Sequence, residues 1–293
     1  MEARSHLTRS DVAAQLEAEV LGGGLEAGTK LPSERDLAQR LGVSRPLIRE
    51  ALRSLVERGL VEVSPGRGAF VRAASTTEAA RPLGSHYRRQ HVTPHHLIEV
   101  RMIIEPAAAR LAATRATEQE IVALGRAVER NDAATTVLDR ARWDITIHRL
   151  VARMAHNPVI ETSFESIATL IFELMLRSLS DPKVVAASAP YHRAVYEAIR
   201  DRDPERACEA MLAHHESGSR FYGKDLDSSL DIVAQRELAR LLGPTASLER
   251  VIDEALHEPP LIDVDPAGQP QNRKRGSTRT GKRASQSSEG ATR

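Results

Sequence analysis

The stretch from Ser33 to Arg72 constrains this chain more than any other. Leu37, Ala38 and Leu41 share one face of a short helical pattern that Ser33 can cap and Gly42 can end. Only Gly42-Val43-Ser44 separates it from a second pattern over 45–58, with Pro46 in its first turn and Gly59 at its end. Leu60-Val61-Glu62-Val63, a turn at Ser64-Pro65-Gly66-Arg67-Gly68 and Ala69-Phe70-Val71-Arg72 then read as a two-stranded hairpin. Two helices joined by a three-residue, glycine-containing turn and followed by a hairpin are the parts of a winged helix-turn-helix. An earlier helical pattern through Val12, Leu16 and Val20, following Ser10, supplies the helix against which this unit packs.

The helix over 45–58 carries two adjacent faces. Ile48, Leu52 and Leu55 form the apolar one, while Arg45, Arg49 and Arg53 recur at spacings of four beside it. Three arginines on an isolated helix are ordinarily a solvated face. Behind a helix-turn-helix they become guanidinium forks at a helix N-terminus, the chemistry that binds phosphate and reads guanine in a major groove. Ser33 and Ser44 at the two caps, Arg35 on the preceding helix, and Gly66, Arg67 and Gly68 at the wing tip complete the expected DNA-binding set.

Gly28-Thr29-Lys30-Leu31-Pro32-Ser33-Glu34-Arg35-Asp36-Leu37-Ala38, Leu41-Gly42-Val43-Ser44-Arg45, Ile48-Arg49-Glu50-Ala51-Leu52 and Gly66-Arg67-Gly68-Ala69-Phe70-Val71 closely resemble the N-terminal domain of the GntR superfamily of bacterial transcriptional regulators. The resemblance implies that Arg35, Arg45 and Arg49 contact operator DNA, that the glycine-rich wing tip enters the minor groove, and that a homodimer binds a palindrome.

Charge is partitioned to match. The net of +1 hides +4 over 30–72, about −6 over 73–265 and +6 over 266–293. A basic N-terminal part and an acidic middle suit different partners. No apolar run approaches the roughly 20 residues of a membrane span, and no signal-peptide stretch opens the sequence. Cys208 is the single cysteine, so an intrachain disulfide is excluded and a cytoplasmic setting is expected. Aromatic content of 3% favours helices built on Leu, Ile, Val and Ala.

The expected domains are a DNA-binding unit over 1–72, a linker over 73–93 with no sustained period, and an all-α bundle over 94–222. A helical extension over 223–257 and a disordered basic tail over 258–293 follow. The fold class is therefore mostly α, with a small wing. In the bundle, Thr93-Pro94, Thr117 with Glu120, Asn157-Pro158, Pro190 and Asp203-Pro204 mark helix starts.

Asp144 and His148, four apart, share one face of one helix. His192 lies eleven residues before Asp203 and His214 eleven after it, so an antiparallel hairpin about that turn levels the two histidines. One carboxylate and three imidazoles from three helices make a divalent site of Zn, Ni or Mn type with room for a ligand. His215 competes with His214 but is turned by ~100° around the helix. Arg101 is a candidate cation for a small organic acid; the plainer reading is an ion pair with Glu105 one turn on.

Glu99-Val100-Arg101, Glu105, Asp144-x-x-x-His148, Asn157-Pro158, His192, Asp203 and Met211-x-x-His214 look like the FCD domain, the effector-binding module of FadR-type GntR regulators. The resemblance implies that Asp144, His148, His192 and His214 are metal ligands; Ile147 departs from the phenylalanine common before the histidine. The reading is a transcriptional regulator, with repression expected, whose operator affinity responds to an organic acid at a metal site. The rival is a metal-dependent hydrolase with a DNA-binding appendage, since an open coordination position can activate water; no general base is evident beside the ligands.

Overall fold

The computed structural model describes residues 7–22, 24–219 and 221–256. The expected tail over 258–293 and His257 lie outside the described residues.

Helix α1 (Arg9–Leu21) opens on Thr8, whose hydroxyl and backbone exchange hydrogen bonds with Asp11 in a capping box. Ser10, read as the cap from sequence, sits inside the first turn because the Thr8–Asp11 spacing satisfies two amides and Ser10 satisfies none. α2 (Glu34–Leu41) starts from Ser33, which accepts from the Asp36 amide at 3.2 Å, and ends at Gly42 in the left-handed region at φ 66°. α3 (Arg45–Glu57) starts from Ser44, with Pro46 in its first turn. β1 (Val61–Ser64) and β2 (Gly68–Val71) pair antiparallel from Val61–Val71 to Ser64–Gly68. Lys30 bridges the other side of β2 at Phe70. Leu16, Leu37, Ile48, Leu55 and Val61 are each at most 2% exposed and form one core for the unit.

The second half is helical: α4 (Thr76–Arg89), α5 (Pro94–Arg115), α6 (Glu118–Ala133), α7 (Val137–Met154), α8 (Pro158–Ser178), α9 (Pro182–Arg200) and α10 (Pro204–Ser219). α8 runs through the middle, with Phe164, Ile171, Phe172 and Leu174 almost wholly buried. It meets α4, α7, α11 (Leu230–Leu242) and α12 (Leu248–Leu256), which explains why it is apolar on nearly every face. The two extension helices follow the sequence expectation and share α8's core through Leu230, Leu238 and Ile252. α10 packs against α5 and α9.

Two expectations need correction. The segment 73–93, read as a linker without period, contains α4, capped by Ser75 on the Glu78 amide. Its buried residues are Ala80 and Gly84, and a Cβ on Gly84 would stand 3.3 Å from the Ser166 carbonyl oxygen. A helix that docks through small residues, with Pro82 inside it, shows no apolar stripe in the sequence. Likewise α9 begins at Pro182 under the Asp181 cap, and Pro190 lies within it rather than at its start. The chain before Pro190 is held by tertiary contacts, Val184 being 3% exposed, and these outweigh one missing helical hydrogen bond.

Arg88 of α4 forms an ion pair with Glu173 of α8, whose side chain is 1% exposed. The guanidinium reaches the carboxylate without hydrogen-bond geometry, and both Glu173 oxygens lack a hydrogen-bond partner. Burial therefore dominates, and with help from Asp231 it pushes the Glu173 carboxyl up to about 7 against the pull of Arg88. An acid whose folded pKa is raised is tolerated protonated and opposes folding once ionised, so stability falls as pH rises from about 4.5 to about 7. Glu173→Gln should accordingly gain on the wild type across that window, reaching a few kcal/mol by pH 8 and little at pH 4. Urea unfolding followed by helical circular dichroism at the two pH values measures the gain. A pH-independent difference would show that Arg88 fully compensates the charge.

Candidate DNA interface and metal centre

Every residue expected at the DNA interface is exposed: Ser33, Arg35, Ser44, Arg45, Arg49, Gly66, Arg67 and Gly68. The two serines spend their hydroxyls on the caps of α2 and α3, which fixes the first turn of each helix. Arg45 and Arg49 project from α3 with side chains 61% and 63% exposed, because Ile48, Leu52 and Leu55 take the buried face. At the wing tip Gly66 and Gly68 have φ of 74° and 111°, backbone that disfavours any side chain. Arg67 lies between them with its guanidinium carbon 5.4 Å from the centre of the Phe70 ring. Sequence reasoning gave no role to Glu34, whose carboxylate lies 2.8 Å from Arg49 and 3.9 Å from Arg45.

The four expected metal-type residues come together in the helical half. Asp144 and His148 lie on α7, His192 on α9 and His214 on α10. Their side chains are all buried. Asp144 Oδ1 is 3.4 Å from His148 Nε2, and its Oδ2 is 3.6 Å from His192 Nε2. His148 and His192 face each other Nε2 to Nε2 at 3.4 Å, and the His192 and His214 ring centres are 4.4 Å apart. The hairpin register holds because Arg202, at φ 58°, turns the chain and Asp203 caps α10 on the Arg206 amide.

Behind this group sits a second layer that the sequence reading used only in part. Glu105 of α5, 2% exposed, accepts from Arg101 Nε at 2.6 Å and from His148 Nδ1. That bond orients the His148 ring and turns Nε2 towards Asp144, His192 and Arg101. His215, expected to face away, is 4% exposed at its side chain with Nε2 3.3 Å from Glu105. A turn of ~100° around α10 does not carry it to solvent, because α5 packs on that side. The signal for Glu105 was present: it falls on the buried face of α5 with Leu97, Arg101 and Ala108.

Electrostatics follow from this layering. Burial raises the Glu105 carboxyl, yet Arg101, His148 and His215 together hold it well below its ordinary range. Burial also opposes a charged His148, but Glu105 and Asp144 outweigh it and raise that imidazole. His192 has weaker compensation and is pushed by burial to about 4. His214 is driven well down by burial and by the surrounding imidazoles. Neutral, desolvated imidazoles at His192 and His214 beside the ionised Asp144 carboxylate are metal-ligand chemistry. The donor set fits a cation on a second count: Nδ1 of His192 and Nδ1 of His214 are buried without hydrogen-bond partners. Glu105, His148 and His215 form another compact group. His148, His192 and His214 form the other such group, and the Arg101 guanidinium, paired with Glu105 and 3.3 Å from His148 Nε2, stands beside both.

A pocket with an empty volume of about 460 Å³, its open mouth included, borders these groups. Arg101, Asp144, Ser188, His214, His215 and Tyr222 supply its polar lining, and Leu174, Met175 and Val184 its apolar side. Arg101 forms the expected ion pair with Glu105 and also lines the pocket, with Nη2 3.3 Å from His148 Nε2. Cys208, expected to be buried, is a half-buried free thiol.

A winged helix-turn-helix with an exposed basic recognition helix, joined to an α-helical domain with an open pocket of mixed polar and apolar lining, defines a DNA-binding regulator class. Residues 8–71 match the family described as "Bacterial regulatory proteins, gntR family", and residues 96–217 match the FCD domain. The Glc operon transcriptional activator of Escherichia coli is 30% identical over 69% of this chain and 84% of its own length. The galactonate operon transcriptional repressor of the same species is 30% identical over 73% and 96%. The HTH-type transcriptional repressor NanR of Klebsiella aerogenes is 31% identical over 74% and 87%. Among solved structures, Streptococcus agalactiae GntR superposes with a TM-score of 0.54 at 28% identity, covering 72% of this chain and 99% of that one. The chain belongs to the GntR family of transcriptional regulators and carries an FCD domain. Its relatives are regulators and not enzymes, which sets aside the hydrolase reading. Among the described residues no helix is long and apolar enough to cross a membrane.

Glu105 is the residue on which the site's charge balance turns. Glu105→Ala should leave Arg101 and His148 buried without their shared anion and cost about 3–5 kcal/mol in metal-free protein. Denaturant unfolding measures this, and a loss below about 1 kcal/mol would mean that water replaces the carboxylate.

Proposed function

We propose that this GntR-family protein binds its operator as a homodimer, on a palindrome, in the cytoplasm, and that a small organic acid bound in the FCD domain releases it, so that it represses. The observation that carries the reading is the pocket lined by Asp144, His214 and Arg101, with His148 and His192 next to Asp144. These four residues would hold a divalent cation of Zn, Ni or Mn type. Such a cation supplies a Lewis-acid position for a carboxylate oxygen. Around it the protein's own groups have definite tasks. Glu105 orients His148, Arg101 offers its remaining N–H groups to the acid, and the apolar wall limits the acid's size. One relative is named as the galactonate operon repressor, which favours hydroxylated acids as the class to try first.

Binding alters DNA affinity only if the acid prefers one arrangement of the sensor over another. The route supported by the fold runs through Tyr222, which lines the pocket and bonds to Ser178. Four residues on, the Leu226 carbonyl accepts from the His95 amide at the start of α5, next to α4.

Two measurements test the proposal. Arg45→Ala or Arg49→Ala should cost about 1–3 kcal/mol on the operator and much less on random duplex. Equal losses on both would reduce these arginines to phosphate contacts. For the sensor, His148→Ala and His214→Ala should abolish metal content, read by elemental analysis of protein loaded with Zn, Ni or Mn, and lower the melting temperature of loaded protein. In the same preparations hydroxy acids, sugar acids and dicarboxylates should weaken operator binding several-fold in wild type only. Because Arg101 also neutralises Glu105, its effector role is tested in the paired variant Arg101→Gln with Glu105→Gln. An acid that acts equally on metal-free protein removes the metal from the mechanism.

A further inference from the structure

The pairing of Glu34 with the recognition helix has a geometry that an incidental surface bridge does not need. Glu34 is the first residue of α2, directly after the Ser33 cap, so its backbone is fixed by the helix start. Its Oε1 accepts from Arg49 Nε at 3.1 Å and its Oε2 from Arg49 Nη2 at 2.8 Å. The same Oε2 is 3.9 Å from Arg45 Nη2. Two parallel bonds engage the side-on edge of the Arg49 guanidinium and leave its end-on edge, Nη1 with Nη2, pointing away from the carboxylate. That end-on edge is one of the two that fit O6 and N7 of guanine. A carboxylate at this place has a cost for any nucleic-acid surface, because it repels every phosphate that approaches.

We propose that Glu34 is a specificity-determining positioning residue: it holds Arg49, and more loosely Arg45, with the end-on guanidinium edge towards the base edges and opposes their swing to the backbone phosphates. The proposal rests on the reading that Arg49 meets bases. The Arg49–Glu34 attraction favours both ionised forms, lowering the Glu34 carboxyl and raising the Arg49 guanidinium, so the pair stays charged at neutral pH. Glu34 then trades general affinity for discrimination. Loose arginines bind any duplex through phosphate; a held arginine binds well only where a guanine meets it.

The test uses the full chain and two probes: a duplex enriched by the wild type from a randomised pool, and a random-sequence duplex of equal length. Both are titrated by fluorescence anisotropy at one salt concentration. Glu34→Gln should tighten binding to random duplex several-fold and weaken binding to the enriched duplex, lowering their affinity ratio about tenfold. Glu34→Asp keeps the charge but shortens the reach by one methylene, and it should lower the ratio as well. In an Arg49→Lys background, where no guanidinium edge remains to be held, Glu34→Gln should leave the ratio unchanged. A Glu34→Gln protein that gains equally on both probes, or a Glu34→Asp protein with the wild-type ratio, would show that Glu34 only repels DNA and would overturn the proposal. A fall in melting temperature accompanied by equal loss on both probes would also overturn it, as helix starting rather than positioning. Failure of the underlying reading looks different: Arg49→Ala alone would then lose equally on both probes, whatever Glu34 does.

Discussion

The burial of ionised groups between α5, α7, α9 and α10 is the constraint on which the helical domain depends. Arg101, Glu105, Asp144 and His148 are each at most 7% exposed. An isolated charge in such surroundings costs several kcal/mol, so these groups are tolerable only as a mutually compensating set. That set requires α5 and α7 to meet at one height, with His215 of α10 closing on Glu105. The packing of α10 on α5 and α9 is thus tied to electrostatics as much as to apolar contact. Replacing such a buried charged set by hydrophobic residues of similar volume is often neutral or stabilising, so the set is poor evidence of stabilisation in itself.

α8 plays the complementary part. It is the apolar spine, and the helices that flank the pocket and the helix that follows the wing both lean on it. Leu174 and Met175 line the pocket, while Glu173 between them and α4 meets Arg88. Neighbouring residues of one helix therefore touch the pocket and the helix that follows the wing. A change of a few tenths of an ångström in the pocket wall has a short mechanical path to α4, through close-packed side chains that do not absorb it.

Local signals carried far in the N-terminal half. Caps at Ser33 and Ser44, the left-handed Gly42 and the wing glycines are dictated by residues within a few positions of one another, so the helix-turn-helix and its wing were legible. The histidine hairpin was legible for a related reason: equal spacing of His192 and His214 from Asp203 is a property of sequence, provided the turn is tight. What escaped notice were features whose signal is non-local. α4 docks through Ala80 and Gly84, residues with little hydrophobic weight of their own. His215 is enclosed by α5, and Glu34 meets Arg49 only because α2 and α3 cross.

The sequence by itself determined the order of most elements, the exposed arginine face of α3, and the gathering of Asp144, His148, His192 and His214, because periodicity and capping act over one or two helical turns. Tertiary structure alone decided that Glu105 stands behind His148, that Arg101 joins an ion pair and a pocket wall together, and that Glu34 grips the side-on edge of Arg49. Each of these is a contact between charged atoms on different elements. Its strength depends on separation and on how much water is excluded, and neither quantity exists until the helices have packed.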